Sequence, residues 1–370
     1  MPPISVLIKP ASGLCNLRCR YCFYCDEMAK RDQASFGVMS HETLDVLTEK
    51  VLAFAHGQCT FGFQGGEPTL AGLEFFESVI HLQKQYNVHD VQIQNTIQTN
   101  GYAVTEPWAT FFANHKFLVG LSLDGLEEHH NINRVNVAGE GTFGRVMATA
   151  GLFDRLNVDY NILTVVNRQT ARDINRIYHF YKERGFRYLQ FIPCLDPLGE
   201  EPGGQAFSLT PEDYGLFLRE LFDLWYDDWC KQQQPYIRMF ENYLAHMVGV
   251  ATESCDMRGT CQNQYVIEAD GSVYPCDFYV LDECRLGSIL TDGILGLHGN
   301  SARFVDASRG WPDRCKACEF FRLCRGGCRR NRIVDGAGKS NNYFCSAYKQ
   351  FLSHSIKRLK EIAANLCRGD

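Results

Sequence analysis

As far as Asp196 the chain alternates short β-branched and aromatic runs with longer segments that place an apolar residue at every third or fourth position. The runs Val6–Lys9, Thr60–Gln64, Val91–Gln98, Leu118–Leu123, Tyr160–Val166 and Leu189–Cys194 read as strands, each bounded by Gly, Pro, Asn or Asp. The segments Ser40–His56, Leu73–Tyr86, Glu106–Asn114, Thr142–Leu156 and Ala171–Arg184 carry helical spacing. Strands alternating with helices imply an α/β fold on a parallel sheet, open or curled toward a barrel. Such folds gather their chemistry at the carboxyl ends of the strands. Gly65-Gly66-Glu67-Pro68, Thr99-Asn100-Gly101 and Asp124-Gly125 fall at those ends.

The pattern changes beyond Asp196. Pro197–Gly204 is a glycine- and proline-rich loop, and Pro211–Gln233 is a helix with Thr210 as its N-cap. After Val250 periodicity fades and cysteine density rises. A stretch so poor in periodic apolar residues struggles to build a core, so bound metal is its expected organiser. The chain is accordingly divided into residues 1–235 and a cysteine-rich region, 236–370.

The 370 residues include 17 cysteines, an odd number that no complete disulfide framework can use. With no secretory signal in the opening Met1-Pro2-Pro3-Ile4, the expected location is cytoplasmic, where thiols serve metal or redox chemistry. A net charge of -6 gives no footprint for nucleic acid, and no apolar run reaches bilayer length.

Cys15, Cys19 and Cys22 form C-x3-C-x2-C in the loop after the first strand. Three close thiolates hold three corners of a 4Fe–4S cluster and leave one iron open. Zinc is the alternative on spacing alone, although structural zinc sites want four ligands. The second constellation is Cys255-x5-Cys261-x14-Cys276, then Cys315-x2-Cys318-x5-Cys324-x3-Cys328, then Cys345. Eight cysteines suffice for two fully ligated clusters, or for two zinc sites.

With an aromatic, Tyr21, just before its last cysteine, the first motif resembles the signature of the radical S-adenosylmethionine (SAM) superfamily. The resemblance implies an α/β fold, a partial (β/α)6 TIM-like barrel, followed by a cysteine-rich SPASM domain. It further implies that the loop of Gly66 meets the cofactor's amino group. Ser122 and Arg134 match positions that touch its carboxylate and ribose region, and Leu195 matches an adenine contact. Tyr21 completes this cofactor-binding set. The run Cys315–Cys345 resembles the SPASM extension, whose pattern interleaves ligands. By that resemblance Cys255, Cys261, Cys276 and Cys328 hold one auxiliary cluster, and Cys315, Cys318, Cys324 and Cys345 hold the other.

The stretches Phe63–Phe76, Asp270–Leu281 and Pro2–Lys9 are similar to anaerobic sulfatase-maturating enzymes. Those enzymes oxidise a cysteine or serine in a sulfatase peptide to Cα-formylglycine with three 4Fe–4S clusters and SAM. The resemblance makes Asp277 the base. It implies hydrogen abstraction from the target's Cβ, proton transfer to Asp277 and departure of an electron through the nearer auxiliary cluster. The implied partners are a peptide or unfolded sulfatase and an electron donor such as a flavodoxin or ferredoxin, with neither nucleic acid nor membrane. Gln64, Gln98 and Asn100 are polar strand-end residues that grip substrate or bond neighbouring loops. Another SPASM maturase, crosslinking or epimerising a ribosomal peptide, would share every ligand. A zinc-stapled binding module is the remaining alternative. Arg325–Arg332 is a small basic cluster that balances cluster charge, meets an acidic partner or is simply solvated.

Overall fold

A computed structural model describes residues 3–334 and 340–368, so Pro2 of the Pro2–Lys9 stretch lies outside them. The chain forms two compact units that interleave in sequence. One holds Met1–Ser122, Asn131–Asn161 and Gln262–Phe304; the other holds Leu123–His130, Ile162–Cys261 and Val305–Asp370.

In the first unit four parallel strands lie side by side in chain order: β1 (Ile4–Ile8), β2 (Gln58–Phe63), β3 (Gln92–Thr99) and β4 (Leu118–Ser122). Their register sets Val6 against Phe61, Phe61 against Asn95 and Ile97 against Val119. On its other side β1 pairs with Val266–Ile267, which turns back antiparallel onto Ser272–Tyr274. Phe63, Phe76, Phe111 and Phe117 pack edge-to-face and tilted over the sheet, Phe63 and Phe76 at 5.0 Å. Burying each such ring stabilises the fold by roughly 1.5–3 kcal/mol, so these strands carry their own core.

The second unit holds most of β5 (Tyr160–Val166) and β6 (Tyr188–Pro193), parallel with Ile162 opposite Leu189. Tyr181 and Phe191 pack together in its core. Helix Pro211–Trp229 begins at Thr210, whose side chain accepts from the Asp213 amide at 3.1 Å. Phe222 of this helix meets Phe351 of the C-terminal helix Cys345–Arg368, ring centroids 5.8 Å apart.

The expected strands and helices stand within about two residues of their sequence-based limits, the usual spread of element ends, except that the helix expected over Pro211–Gln233 ends at Trp229. Two readings change. Ala171–Arg184 is two helices, Arg168–Arg172 and Ile174–Glu183, because Asn167 opens the first with a capping box before the chain re-caps at Asp173. The fading of periodicity after Val250 also ends at Cys345, where a 24-residue helix starts.

Candidate functional site

The loop after β1 is built around three half-buried thiols, Cys15, Cys19 and Cys22. Arg18 and Arg20 donate backbone N–H groups to the carbonyls of Val135 and Asn133, at 2.8 and 3.0 Å. Those bonds dock the loop on the segment that carries Arg134, whose guanidinium lies 5.5 Å from the centre of the Tyr21 ring. Cys22 is the N-cap of a short helix, α1 (Phe23–Ala29). Its thiol is drawn down to about 6, first by a hydrogen bond from Cys25, then by nearby amides and Arg134 against the effect of burial. Burial pushes the Cys15 thiol up to about 11. Cys25 stands in the field of all three.

The Gly65-Gly66-Glu67-Pro68 loop at the end of β2 presses on this loop. Gly66 and Glu67 donate backbone N–H groups to the carbonyls of Ser12 and Leu14, each at 2.8 Å. A Cβ on Gly66 would sit 2.1 Å from the Leu14 oxygen, so only glycine allows the approach. Glu67 is buried. Its carboxylate accepts from Thr69 N, Thr69 Oγ1, Thr99 Oγ1 and Asn100 N, at 2.7–3.1 Å. Burial pushes its carboxyl above the ordinary range while those donors pull it back. Ser122, half-buried at the end of β4, and the buried Arg134 and Tyr21 belong to the same unit; Leu195, half-buried beyond β6, belongs to the other.

Asp277 follows Cys276 where Ser272–Tyr274 ends, at the start of a single 3-10 turn. Its Oδ1 lies 2.6 Å from Lys9 Nζ, which has no exposed surface. Its Oδ2 accepts from Gln64 Nε2, and its backbone N–H donates to Gln264 Oε1 at 3.0 Å. The Lys9 ammonium also stands 3.8 Å above the Tyr24 ring. Tyr24 Oη donates to Glu268 Oε1, which Arg31 Nη1 approaches at 2.7 Å, both side chains fully buried. Burial, then the Glu268 charge, holds the Tyr24 hydroxyl well above its usual range.

Lys9, Tyr24, Arg31 and Glu268 are functional candidates that sequence reasoning missed. The available signal was a lysine closing an apolar strand where the next residue is proline. Of the strand-end amides, Gln64 bonds Asp277 and Asn100 bonds Asn16 and Cys15, whereas Gln98 is exposed.

The later cysteines fall into groups. Burial pushes Cys328 up to about 12, and Asp256, Cys255 and Cys261 add to the rise. Cys324 is pushed up to about 11 by burial, with Cys345, Cys315 and Cys318 contributing. Cys328 thus stands in the field of Cys255 and Cys261, and Cys324 in that of Cys315, Cys318 and Cys345. Cys276 lies in the other unit. The basic cluster is turned onto backbone carbonyls: Arg330 reaches Asp196 O at 2.7 Å, and Arg332 reaches Ser308 O at 2.5 Å.

Residues 10–181 match the Radical SAM superfamily, and residues 255–319 match an iron–sulfur cluster-binding domain. The cysteine-type anaerobic sulfatase-maturating enzyme of Clostridium perfringens is 47% identical over 99% of this chain and 100% of its own length. This chain belongs to the anaerobic sulfatase-maturating enzymes. The serine-type enzyme of Bacteroides thetaiotaomicron is 32% identical over 95% of this chain and 89% of its own. A solved structure, native anSMEcpe with bound AdoMet and Kp18Cys peptide, superposes with a TM-score of 0.94 at 47% identity, covering 98% of this chain and 100% of that one. The expected α/β fold class, a partial barrel of the radical SAM type with a SPASM domain, follows from that likeness. The chain is a radical SAM oxidoreductase of the formylglycine-generating family. Among the described residues no helix is long and apolar enough to cross a membrane.

Proposed function

We propose that the enzyme oxidises a cysteine in a sulfatase peptide, with Asp277 as the base that takes the thiol proton. Cysteine is favoured because relatives named cysteine-type are 44–48% identical, whereas those named serine-type are 29–32% identical. The single observation behind the base is the 2.6 Å pairing of its carboxylate with a fully buried ammonium.

The donor set fits the cofactors of this family, SAM and three 4Fe–4S clusters. Cys15, Cys19 and Cys22 offer three thiols in one loop, and the later eight cysteines offer two sets of four. In this reading the loop holds the cofactor-cleaving cluster. Cys255, Cys261, Cys276 and Cys328 hold one auxiliary cluster, and Cys315, Cys318, Cys324 and Cys345 the other. Tyr21, Gly66, Ser122, Arg134 and Leu195 bind SAM. When bound, this assembly supplies the acceptor for a hydrogen atom from the substrate's Cβ.

The chain's own contribution is position and charge. Oxidation of the thiol removes a hydrogen atom from carbon, a proton from sulfur and one further electron, leaving a thioaldehyde that water converts to the aldehyde. Asp277 accepts the proton. Lys9 balances the carboxylate's charge before transfer, and Gln64 orients the oxygen it bonds. The division into residues 1–235 and 236–370 is part of this reading, supported by the cluster-binding match at 255–319. A cytoplasmic location and a flavodoxin or ferredoxin donor complete it.

The test is an anaerobic assay of reconstituted enzyme with SAM and two sulfatase-motif peptides that differ only in cysteine or serine at the target. Mass spectrometry should find the aldehyde chiefly from the cysteine peptide. Equal or greater yield from serine would overturn the cysteine preference.

A further inference from the structure

We propose that Asn100 is a positioning residue that sets the reduction potential of the cluster bound by Cys15, through a side-chain N–H donated to that ligand's sulfur. The inference rests on the reading of Cys15 as a cluster ligand.

Asn100 is the first residue beyond β3 and is buried. Its backbone N–H, Oδ1 and Nδ2 are all engaged. Its backbone N–H donates to Glu67 Oε2 at 2.8 Å, and its Oδ1 accepts from Tyr102 N at 2.8 Å. Its Nδ2 donates to Asn16 Oδ1 at 2.8 Å and reaches Cys15 Sγ at 3.8 Å. The Tyr102 contact fixes which end of the amide is oxygen, so the two N–H groups face the cysteine loop. A second donor, the Leu17 amide, reaches the same sulfur at 3.4 Å. Behind Asn100, the Glu67 carboxylate is locked by Thr69 and Thr99. Asn100 is therefore held at its backbone by Glu67 and at its side-chain amide by Tyr102 and Asn16.

A donor on a ligating sulfur withdraws electron density and stabilises the reduced, more negative cluster, raising its potential. Removing that donor lowers it. The cofactor-cleaving cluster must give an electron to SAM, so its potential governs how readily it is filled by the outside donor. Tyr102 and Asn16 hold the side-chain amide, Glu67 holds the backbone of the same residue, and the sulfur is where the amide acts.

The experiment is an EPR-monitored redox titration of full-length, anaerobically reconstituted enzyme, with Asn100→Leu and Asn100→Asp as variants. The cluster of interest is the one whose signal changes when SAM is added. Both variants should keep the iron content and shift that cluster to a more negative potential, Asp further than Leu because it also adds charge. The auxiliary clusters should stay where they are. An unshifted potential with iron retained would overturn the proposal. So would loss of the SAM-responsive signal in both variants, since Asn100 would then only retain the cluster. Cys15→Ala tests the underlying reading separately: survival of the SAM-responsive signal there contradicts the ligand, not the role of the amide.

Discussion

The strands β1–β4 and the cysteine-rich stretch from Val305 to Phe344 are held together by different physics. The strands bury Val6, Phe61, Phe63, Ile97, Val119 and Leu121, each at 1% exposure or less. Between Phe304 and Phe344, by contrast, no apolar side chain is buried among the described residues. That stretch consists of pieces of three to five residues, such as Asp313–Lys316 and Phe321–Cys324, with half-buried thiols between them. A sheet with its own core folds on burial alone. A coreless stretch needs an enthalpic substitute, and metal–thiolate bonds are the one its composition offers.

The contrast can be broken most directly by removing the metal. Replacing Cys315 and Cys318 with Ala should abolish amide protection across residues 305–334 and 340–344 while β1–β4 keep theirs, as read by hydrogen exchange. Protection of that stretch without iron would show that it has a core of its own.

Asp277, the proposed base, follows Cys276 and bonds to the strand-end side chains Lys9 and Gln64. Asp277→Asn keeps the volume and removes the basicity. Formylglycine yield should fall by about a hundredfold or more, with iron content and SAM cleavage retained. A variant that loses iron instead would make Asp277 a loop brace. Lys9→Met probes the strand side of the same contact. It leaves the carboxylate without its buried partner, and breaking such a pair costs about 3–5 kcal/mol. Chemical denaturation should report a loss of that order, with product uncoupled from SAM cleavage. The smallest expected effect is in the self-sufficient part of the second unit. Thr210→Ala removes an N-cap and should cost about 1 kcal/mol, with no change in iron or product.

Much of this was legible in the sequence for physical reasons. Tyr160–Val166 and Leu73–Tyr86 were placed to the residue because strand and helix periods are strong over such runs. The cysteine groups were visible as spacing, whereas an interleaved assignment of ligands came only from family resemblance. The network of Lys9, Tyr24, Arg31 and Glu268 was not legible, because its members lie up to 268 positions from their partners and none has a periodic signature. The burial of Glu67 was hidden likewise: its carboxylate accepts from Thr69 in its own loop and from Thr99 and Asn100 at the end of β3.

The central claim is that this enzyme abstracts a hydrogen atom from the Cβ of a sulfatase cysteine. The most direct test uses a sulfatase-motif peptide whose target cysteine is deuterated at Cβ. After anaerobic turnover with SAM, the account predicts deuterium in 5'-deoxyadenosine in step with aldehyde formed in the peptide. Unlabelled 5'-deoxyadenosine alongside formed aldehyde would contradict it.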